Sequence, residues 1–366
     1  MTGITPSRRV RRTHFTDFVE AAGVKSYTVY NHMLLPSSFE GIEADYHHLK
    51  RHVQVWDVSC ERQVQVKGSD AMRLIQMLTP RDISSLSTKK CMYIPVVDQN
   101  GGMLNDPVLI AAGSDTFWIS IADSDFLLWV LAVAACNGLD VEVEEPDVSP
   151  LAVQGPKSGL LMERVFGARV NGLRFFECGR FEFHGDHMLV SRSGYSRQGG
   201  FEIYLENPKL AEPLWESLFK MGEDLQVRAG CPNLIERIEG GLLSYGNDMT
   251  RENSPLECGF EKFVSESLLD HCFGGRALRK ELDAGIKRKI RPVSIEGELP
   301  PCDRAWPLYA KGLRAGQVTS AARSPDHGTN VAIGMMSREF WDAGSALEVE
   351  TQAGMRRAVV KASFWE

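Results

Sequence analysis

Ser191–Leu205 reads SRSGYSRQGGFEIYL. A polar, glycine-rich turn (Gly194, Gly199, Gly200) runs into a strand predicted over Phe201–Leu205. Alternation along that strand places Phe201, Ile203 and Leu205 on one face and Glu202 and Tyr204 on the other. The glycines let a ligand approach the backbone closely. A carboxylate at that place suits a planar ligand presenting two adjacent N–H donors, such as an amino-substituted pterin. A plain strand with a solvated glutamate is the alternative reading of the same residues.

Working outward, 366 residues at 43% hydrophobic content are enough to bury a large core spread over two or three domains. A net charge of −7 gives a nucleic-acid role no electrostatic support. The basic cluster Arg8, Arg9, Arg11 and Arg12 reads as a solvated arm, with an anionic ligand tail as its other reading. Eight cysteines (60, 91, 136, 178, 231, 258, 272, 302) occur singly, which points to reduced thiols and a cytoplasmic setting rather than a disulfide framework or a structural zinc site. The N-terminus shows no apolar secretory core. The most apolar run, Phe126–Cys136, is too short to span a bilayer and is predicted to be a buried helix.

Strand-like and helix-like segments alternate irregularly, which favours an α+β fold. Residues 62–67 read as a strand, followed by a helix over Ser69–Leu78 with Ser69 or Asp70 as its cap. Tyr93–Val97 and Val108–Ala111 flank the turn Asp98–Gly102 as a hairpin, with Asn100-Gly101 supplying positive φ. Phe117–Ile121, Asp140–Glu145 and Leu151–Gln154 are further strands; Lys157–Phe166 and Pro213–Met221 are helices. Asn233–Tyr245 carries Leu234, Ile238, Leu242 and Tyr245 at helical spacing and is predicted as one helix, with Gly240-Gly241 inside it. Asp283–Lys289 is the candidate linker. The short strands after it (Pro292–Ile295, Gln317–Ser320, Val331–Met335, Leu347–Glu350, Arg357–Lys361) suit a β-barrel of about 80 residues.

The sequence holds no GxGxxG after a strand, GxxxxGK[ST], HExxH or DxDxDG loop. Gly194-Tyr195-Ser196 begins like a nucleophile elbow, but Gln198 stands where that turn needs glycine. His48 and His52 have i, i+4 spacing without a third ligand in register, so they read as a surface or interface helix rather than a metal site.

Five segments combine polar residues with glycine or proline at element edges: Tyr30–Pro36, Gly101–Pro107 with Asp106, the stretch around Glu202, Arg237–Asp248 and Gly316–Pro325. Taken together the residues resemble the glycine-cleavage T-protein (aminomethyltransferase) family along nearly the whole chain, through seven short motifs in family order: Trp56-Asp57-Val58-Ser59, Gly101–Asp106, Gln154-Gly155-Pro156, Ser191–Ile203, Arg237–Asp248, Gly316–Ser320 and Ala332–Gly334. Within it, Lys25–Pro36, Leu104–Val108, Trp118–Asp125, Ala152–Ser158 and Gly230–Tyr245 are most similar to the dimethylsulfoniopropionate demethylases. Two departures separate the chain from the amine-cleaving members. The paired aspartates of the hairpin appear as Asn105-Asp106, and the histidine after Asp-Val-Ser is Cys60.

The resemblance implies a three-domain folate-binding fold with a C-terminal β-barrel. Residues 1–285 would form the folate-binding region, as two intertwined α+β domains, and 286–366 the barrel. It implies tetrahydrofolate as methyl acceptor and a small sulfonium donor, with neither nucleic acid nor membrane as partner; a homodimer is left open. Glu202 would anchor the pterin, Asp106 would be the catalytic residue near the folate nitrogens, positioning them electrostatically and accepting a proton through water, Arg237 would contact folate, and Tyr195 would line the pterin slot. A sulfonium cannot donate a conventional hydrogen bond, so it belongs against aromatic faces, at about 0.5–2 kcal/mol each; Tyr30, Tyr93 and Trp118 are the candidates. Ser120, Ser124 and Arg192 are candidates for the substrate carboxylate. The alternatives are a related demethylase or aminomethyltransferase acting on a betaine, methylated amine or methoxyaromatic, and a non-catalytic folate-binding protein.

Overall fold

The computed structural model describes residues 7–365, so the outermost residues of the predicted N- and C-terminal regions lie outside the described part. The chain divides into two compact units. The first takes in the chain to Leu74, Ile83–Ile94 and Pro107–Asn233. The second takes in Ile75–Asp82, Pro95–Asp106 and the chain from Leu234 onward.

The first unit holds two large sheets. Six strands run in the order Cys178–Phe183, Asp186–Ser191, Gly200–Leu205, Ser149–Gln154, Val53–Asp57 and Val227–Gly230, antiparallel except for the last pair. Five antiparallel strands run in the order Glu142–Glu144, Gln63–Lys67, Thr116–Ser120, Val108–Ala111 and Cys91–Tyr93. The predicted alternation on Gly200–Leu205 sorts its side chains between two clusters. Phe201, Ile203 and Leu205 join a core with Val55, Val153, Leu161 and Leu214, while Tyr204 joins Trp118, Ile110 and Leu189. Both faces of this strand are therefore buried, and each large apolar side chain contributes about 1.5–3 kcal/mol.

The second unit is built on a closed antiparallel barrel. Around it run Arg288–Ile295, Asn330–Ser337, Leu313–Arg323, Trp306–Ala310, Ala346–Thr351 and Gly354–Val360. Val293, Trp306, Leu308, Val318 and Met336 fill one cluster, and Val331, Ile333 and Met335 on alternate positions pack with Val97, Met103, Ile238 and Leu278. Trp306–Ala310 escaped the sequence reading because Pro307 interrupts its pattern.

Several expectations need correction. The helix predicted over Asn233–Tyr245 ends at Glu239. Leu242 N donates to Arg237 O (2.8 Å) and Gly241 N to Ile238 O (3.1 Å), with Gly241 at φ +65°. That is a Schellman stop, so the two glycines terminate the helix instead of lying within it. The Phe126–Cys136 helix exists but is only half buried: Leu128 is 64% and Leu131 40% exposed. The predicted hairpin is divided. Val96–Val97 pairs with Met103–Asn105 across Asp98–Gly102, while Val108–Ala111 pairs with Cys91–Tyr93, and of Asn100-Gly101 only Gly101 has positive φ. Tyr30–Pro36 is itself a hairpin bend, turning at Asn31 and His32, both with positive φ. The helix predicted from Ser69 spans Ala71–Leu78, and the side chains of Ser69 and Asp70 bond Asp140. Of the predicted linker, only residues 285–287 lie between a helix and a strand.

Candidate active site

The strand Gly200–Leu205 carries Glu202 into the interior, where it is 8% exposed, so the solvated reading of this residue is corrected. Ser191 lies directly across the sheet from it and Tyr204 two residues along on the same face. Three hydroxyls converge on Glu202 Oε2: Ser193 Oγ, Tyr204 OH (3.2 Å) and, more weakly, Ser191 Oγ (3.5 Å). Burial pushes the carboxyl up from its ordinary range, and the hydroxyls pull it back part of the way. Tyr204 is pushed well up by burial and by the Glu202 charge. These three hydroxyls all bond Oε2, and a carboxylate can accept further bonds through its other oxygen.

The five-stranded sheet gathers three more of the predicted residues. Tyr93, Val108 and Ser120 stand in one cross-strand row, and Trp118 lies two positions from Ser120 on the same face. Trp118 is buried, donates from Nε1 to Gln65 Oε1 (2.9 Å) and has its ring 6.1 Å from that of Tyr204. Ser120 accepts from Gln63 Nε2 (3.0 Å). The structure thus strings Glu202, Tyr204, Trp118, Ser120 and Tyr93 along neighbouring faces within the first unit. Tyr30 closes the first hairpin strand, and the next residue, Asn31, accepts from Ser124 N (3.0 Å), which brings Tyr30 and Ser124 to the same corner. Arg192 is committed elsewhere: Nη1 donates to the carbonyls of Leu173 (3.0 Å) and Asn171 (3.4 Å), and the guanidinium lies 5.3 Å from the Phe201 ring. Tyr195 is half-buried in the turn between Asp186–Ser191 and Gly200–Leu205.

In the second unit, Asp106 is half-buried directly after Met103–Asn105, whose Met103 carbonyl accepts from Tyr245 OH (3.1 Å). Arg237 is 7% exposed and donates to Asp248 Oδ2 (2.8 Å), Leu242 O (3.2 Å) and Ser320 Oγ (2.7 Å). Asp248 also accepts from Thr319, Ser320 and Ser244 N.

Sequence reasoning missed Ser191, Ser193 and Tyr204 as partners of Glu202, although the alternation had already put Tyr204 beside it. It also misplaced His48. That residue is buried, bonds Gln226 O through Nε2 (2.9 Å) and is pushed down to about 4 by burial and then by Arg228. It lines a cavity of about 700 Å³ with Phe18, Trp215 and Phe219, none of them a predicted site residue. His52 lies just past the helix Ile42–Arg51. No cluster of three or more His, Cys, Asp or Glu among the described residues is placed to hold a metal ion. All eight cysteines are free thiols. No helix among the described residues is long and apolar enough to cross a membrane.

Residues 13–267 match the family described as the GCVT N-terminal domain, and residues 288–365 the glycine cleavage T-protein C-terminal barrel domain. The chain belongs to the glycine cleavage T-protein family. Members of the family differ in how far they resemble it. The dimethylsulfoniopropionate demethylase DmdA of Ruegeria pomeroyi is 56% identical over 365 residues, covering 100% of both chains. The aminomethyltransferase of Bacillus subtilis is 26% identical over 366 residues, covering 98% of this chain and 99% of that one. The crystal structure of the glycine cleavage system aminomethyltransferase T from Bartonella henselae superposes with a TM-score of 0.85 at 23% identity, over 96% of this chain and 97% of that one, and so shares the fold.

Proposed function

We propose that this T-protein-family chain demethylates dimethylsulfoniopropionate, passing the methyl group to N5 of tetrahydrofolate and giving methylmercaptopropionate and 5-methyltetrahydrofolate. The observation that carries this reading is the full-length identity with the demethylase, roughly twice that with the aminomethyltransferases. The two departures from the amine-cleaving pattern, Asn105 and Cys60, point the same way; Cys60 is buried, and its thiol is pushed well up by that burial.

The chemistry sets a modest demand on the protein. Tetrahydrofolate supplies the lone pair of N5. The S–CH₃ bond breaks as the N–CH₃ bond forms, its electrons stay on sulfur, and a neutral thioether leaves. No acid is needed for that leaving group, so the residues act chiefly by alignment, which can supply roughly 7–11 kcal/mol. Glu202 is assigned to the pterin N–H donors: it is a buried carboxylate whose hydroxyl partners Ser191, Ser193 and Tyr204 all bond one oxygen. Tyr195 borders the glycine turn. Asp106 is assigned to electrostatic positioning and to accepting, through water, the proton that the methylated amine loses. Tyr93, Trp118 and Tyr30 are assigned to the sulfonium, and Ser120 and Ser124 to its carboxylate. Arg192 is a weaker member of that set because its guanidinium already binds two carbonyls, and Arg237 keeps its folate role only alongside its bonds to Asp248 and Ser320. Residues 1–285 are taken as the folate-binding region and 286–366 as the barrel domain. The eight free thiols support a reducing, cytoplasmic location.

The test is to incubate the enzyme and tetrahydrofolate with the sulfonium, a betaine or a methoxyaromatic and to follow 5-methyltetrahydrofolate. Turnover with the sulfonium is expected. Turnover with a betaine alone would replace the donor, and none with any donor would leave a folate-binding protein.

A further inference from the structure

Gln154 ends the strand Ser149–Gln154 and is 0% exposed. Its side chain reaches under the glycine turn and grips it at three points. Nε2 donates to Ser193 O (3.2 Å) and Phe201 O (3.4 Å), and Oε1 accepts from Ser196 Oγ (2.8 Å). Gly194 and Gly200 complete the fit: a Cβ on either would overlap the Gln154 amide. The grip falls on the residues that aim Glu202. Ser193 places its hydroxyl on Glu202 Oε2, and the Phe201 carbonyl belongs to the peptide that joins Phe201 to Glu202.

We propose that Gln154 is the positioning residue of the pterin pocket, setting tetrahydrofolate affinity through the turn and Glu202 without touching the ligand. The inference rests on the reading of Glu202 as the pterin anchor. The amide is needed because the turn offers two carbonyls and one hydroxyl to a single side chain. Only a group with both donor and acceptor satisfies all three when fully buried. A carboxylate there would face two carbonyl oxygens, and an isosteric thioether would leave all three groups without that partner. Relaxing Ser193 also removes the hydroxyl that most favours the ionised form of Glu202, so the acid edge of folate binding moves to higher pH.

The experiment compares full-length wild type, Gln154→Met, Gln154→Glu, Ser196→Ala and Glu202→Gln. The readouts are the tetrahydrofolate dissociation constant across pH, KM for each substrate, kcat and thermal unfolding. Gln154→Met is expected to weaken tetrahydrofolate binding about tenfold, with Gln154→Glu weaker still and Ser196→Ala about threefold. KM for the sulfonium should stay within about twofold, and the acid edge of binding should shift upward. Wild-type folate affinity in Gln154→Met, or equal rises in both KM values with no pH shift, overturns the proposal while a folate defect in Glu202→Gln keeps the pterin reading. Should Gln154→Met fail to fold, Ser196→Ala decides, and unchanged folate affinity in that variant overturns the proposal. Wild-type folate affinity in Glu202→Gln removes the pterin reading and this inference with it.

Discussion

Glu202 in the first unit and Asp248 in the second are both carboxylates withdrawn from water, 8% and 2% exposed, and they are held by different kinds of partner. Asp248 has the guanidinium of Arg237, two hydroxyls and a backbone amide, spread over both of its oxygens. Glu202 has three hydroxyls on a single oxygen. A buried charge needs compensation, and a cation supplies more of it than hydroxyls do. Asp248 is therefore a closed arrangement that ties the helix Leu234–Glu239 to the barrel strand Leu313–Arg323 through Arg237 and Ser320. Glu202 is an open one, with its charge held above its ordinary cost and one oxygen available. The same residue chemistry thus marks a strut in one place and, in the reading proposed above, a pterin-binding position in the other.

The comparison can be broken most strongly at Arg237. Replacing it with methionine leaves Asp248 buried without its counter-ion and is expected to lower stability by about 3–5 kcal/mol in urea unfolding. Unchanged stability together with lost folate affinity would make Arg237 a ligand contact and erase the distinction. Glu202→Gln should do the reverse. Folate binding is expected to weaken by about 2–3 kcal/mol in a titration, while the melting temperature of the ligand-free protein near neutral pH holds or rises. The sign follows from burial raising this carboxyl above 4.5. The folded state keeps a proton that the unfolded state has released, so the contribution of Glu202 to stability is present at low pH and is lost as pH rises through the raised value. The urea midpoint of wild type relative to Glu202→Gln should therefore improve as pH falls toward that range, and a difference that is flat with pH would contradict the assignment. The smallest effect concerns the stop that ends the Arg237 helix. Gly241→Ala puts an L side chain at φ +65° with a Cβ 2.5 Å from the Phe364 ring. It should cost about 1–2 kcal/mol in thermal unfolding, with folate affinity little changed.

The legible parts of the fold were those where a local pattern has one dominant solution. Period-two alternation located Gly200–Leu205 and told its two faces apart, and five of the six barrel strands were legible as short strands between turns. The misreadings came where a local pattern had two solutions. Leu234, Ile238, Leu242 and Tyr245 keep helical spacing, yet Gly241 closes a Schellman turn after Glu239, and spacing alone does not register a φ angle. The run Phe126–Cys136 is apolar throughout, so its composition held no information about which side the rest of the unit would cover. For the site, resemblance singled out Glu202, Asp106 and Arg237; Ser191, Ser193 and Gln154 lie inside motif segments, but nothing in those segments marked their side chains as partners of Glu202 or of the turn. They matter only through the atoms that folding brings to them.

The sequence alone determined the α+β character and the C-terminal barrel, and the resemblance carried by seven short motifs in order pointed to the T-protein family and its folate chemistry. Pattern and motif order are properties of residue type and spacing, which persist whatever the contacts are. Only the tertiary structure decided that Glu202 is buried among hydroxyls, that Arg237 faces Asp248 and that Gln154 grips a turn lying 39 residues further along the chain. Burial and hydrogen bonding depend on groups distant along the chain. The glycine turn and its strand named a carboxylate, and only the folded chain showed that Gly194 and Gly200 make room for the Gln154 amide.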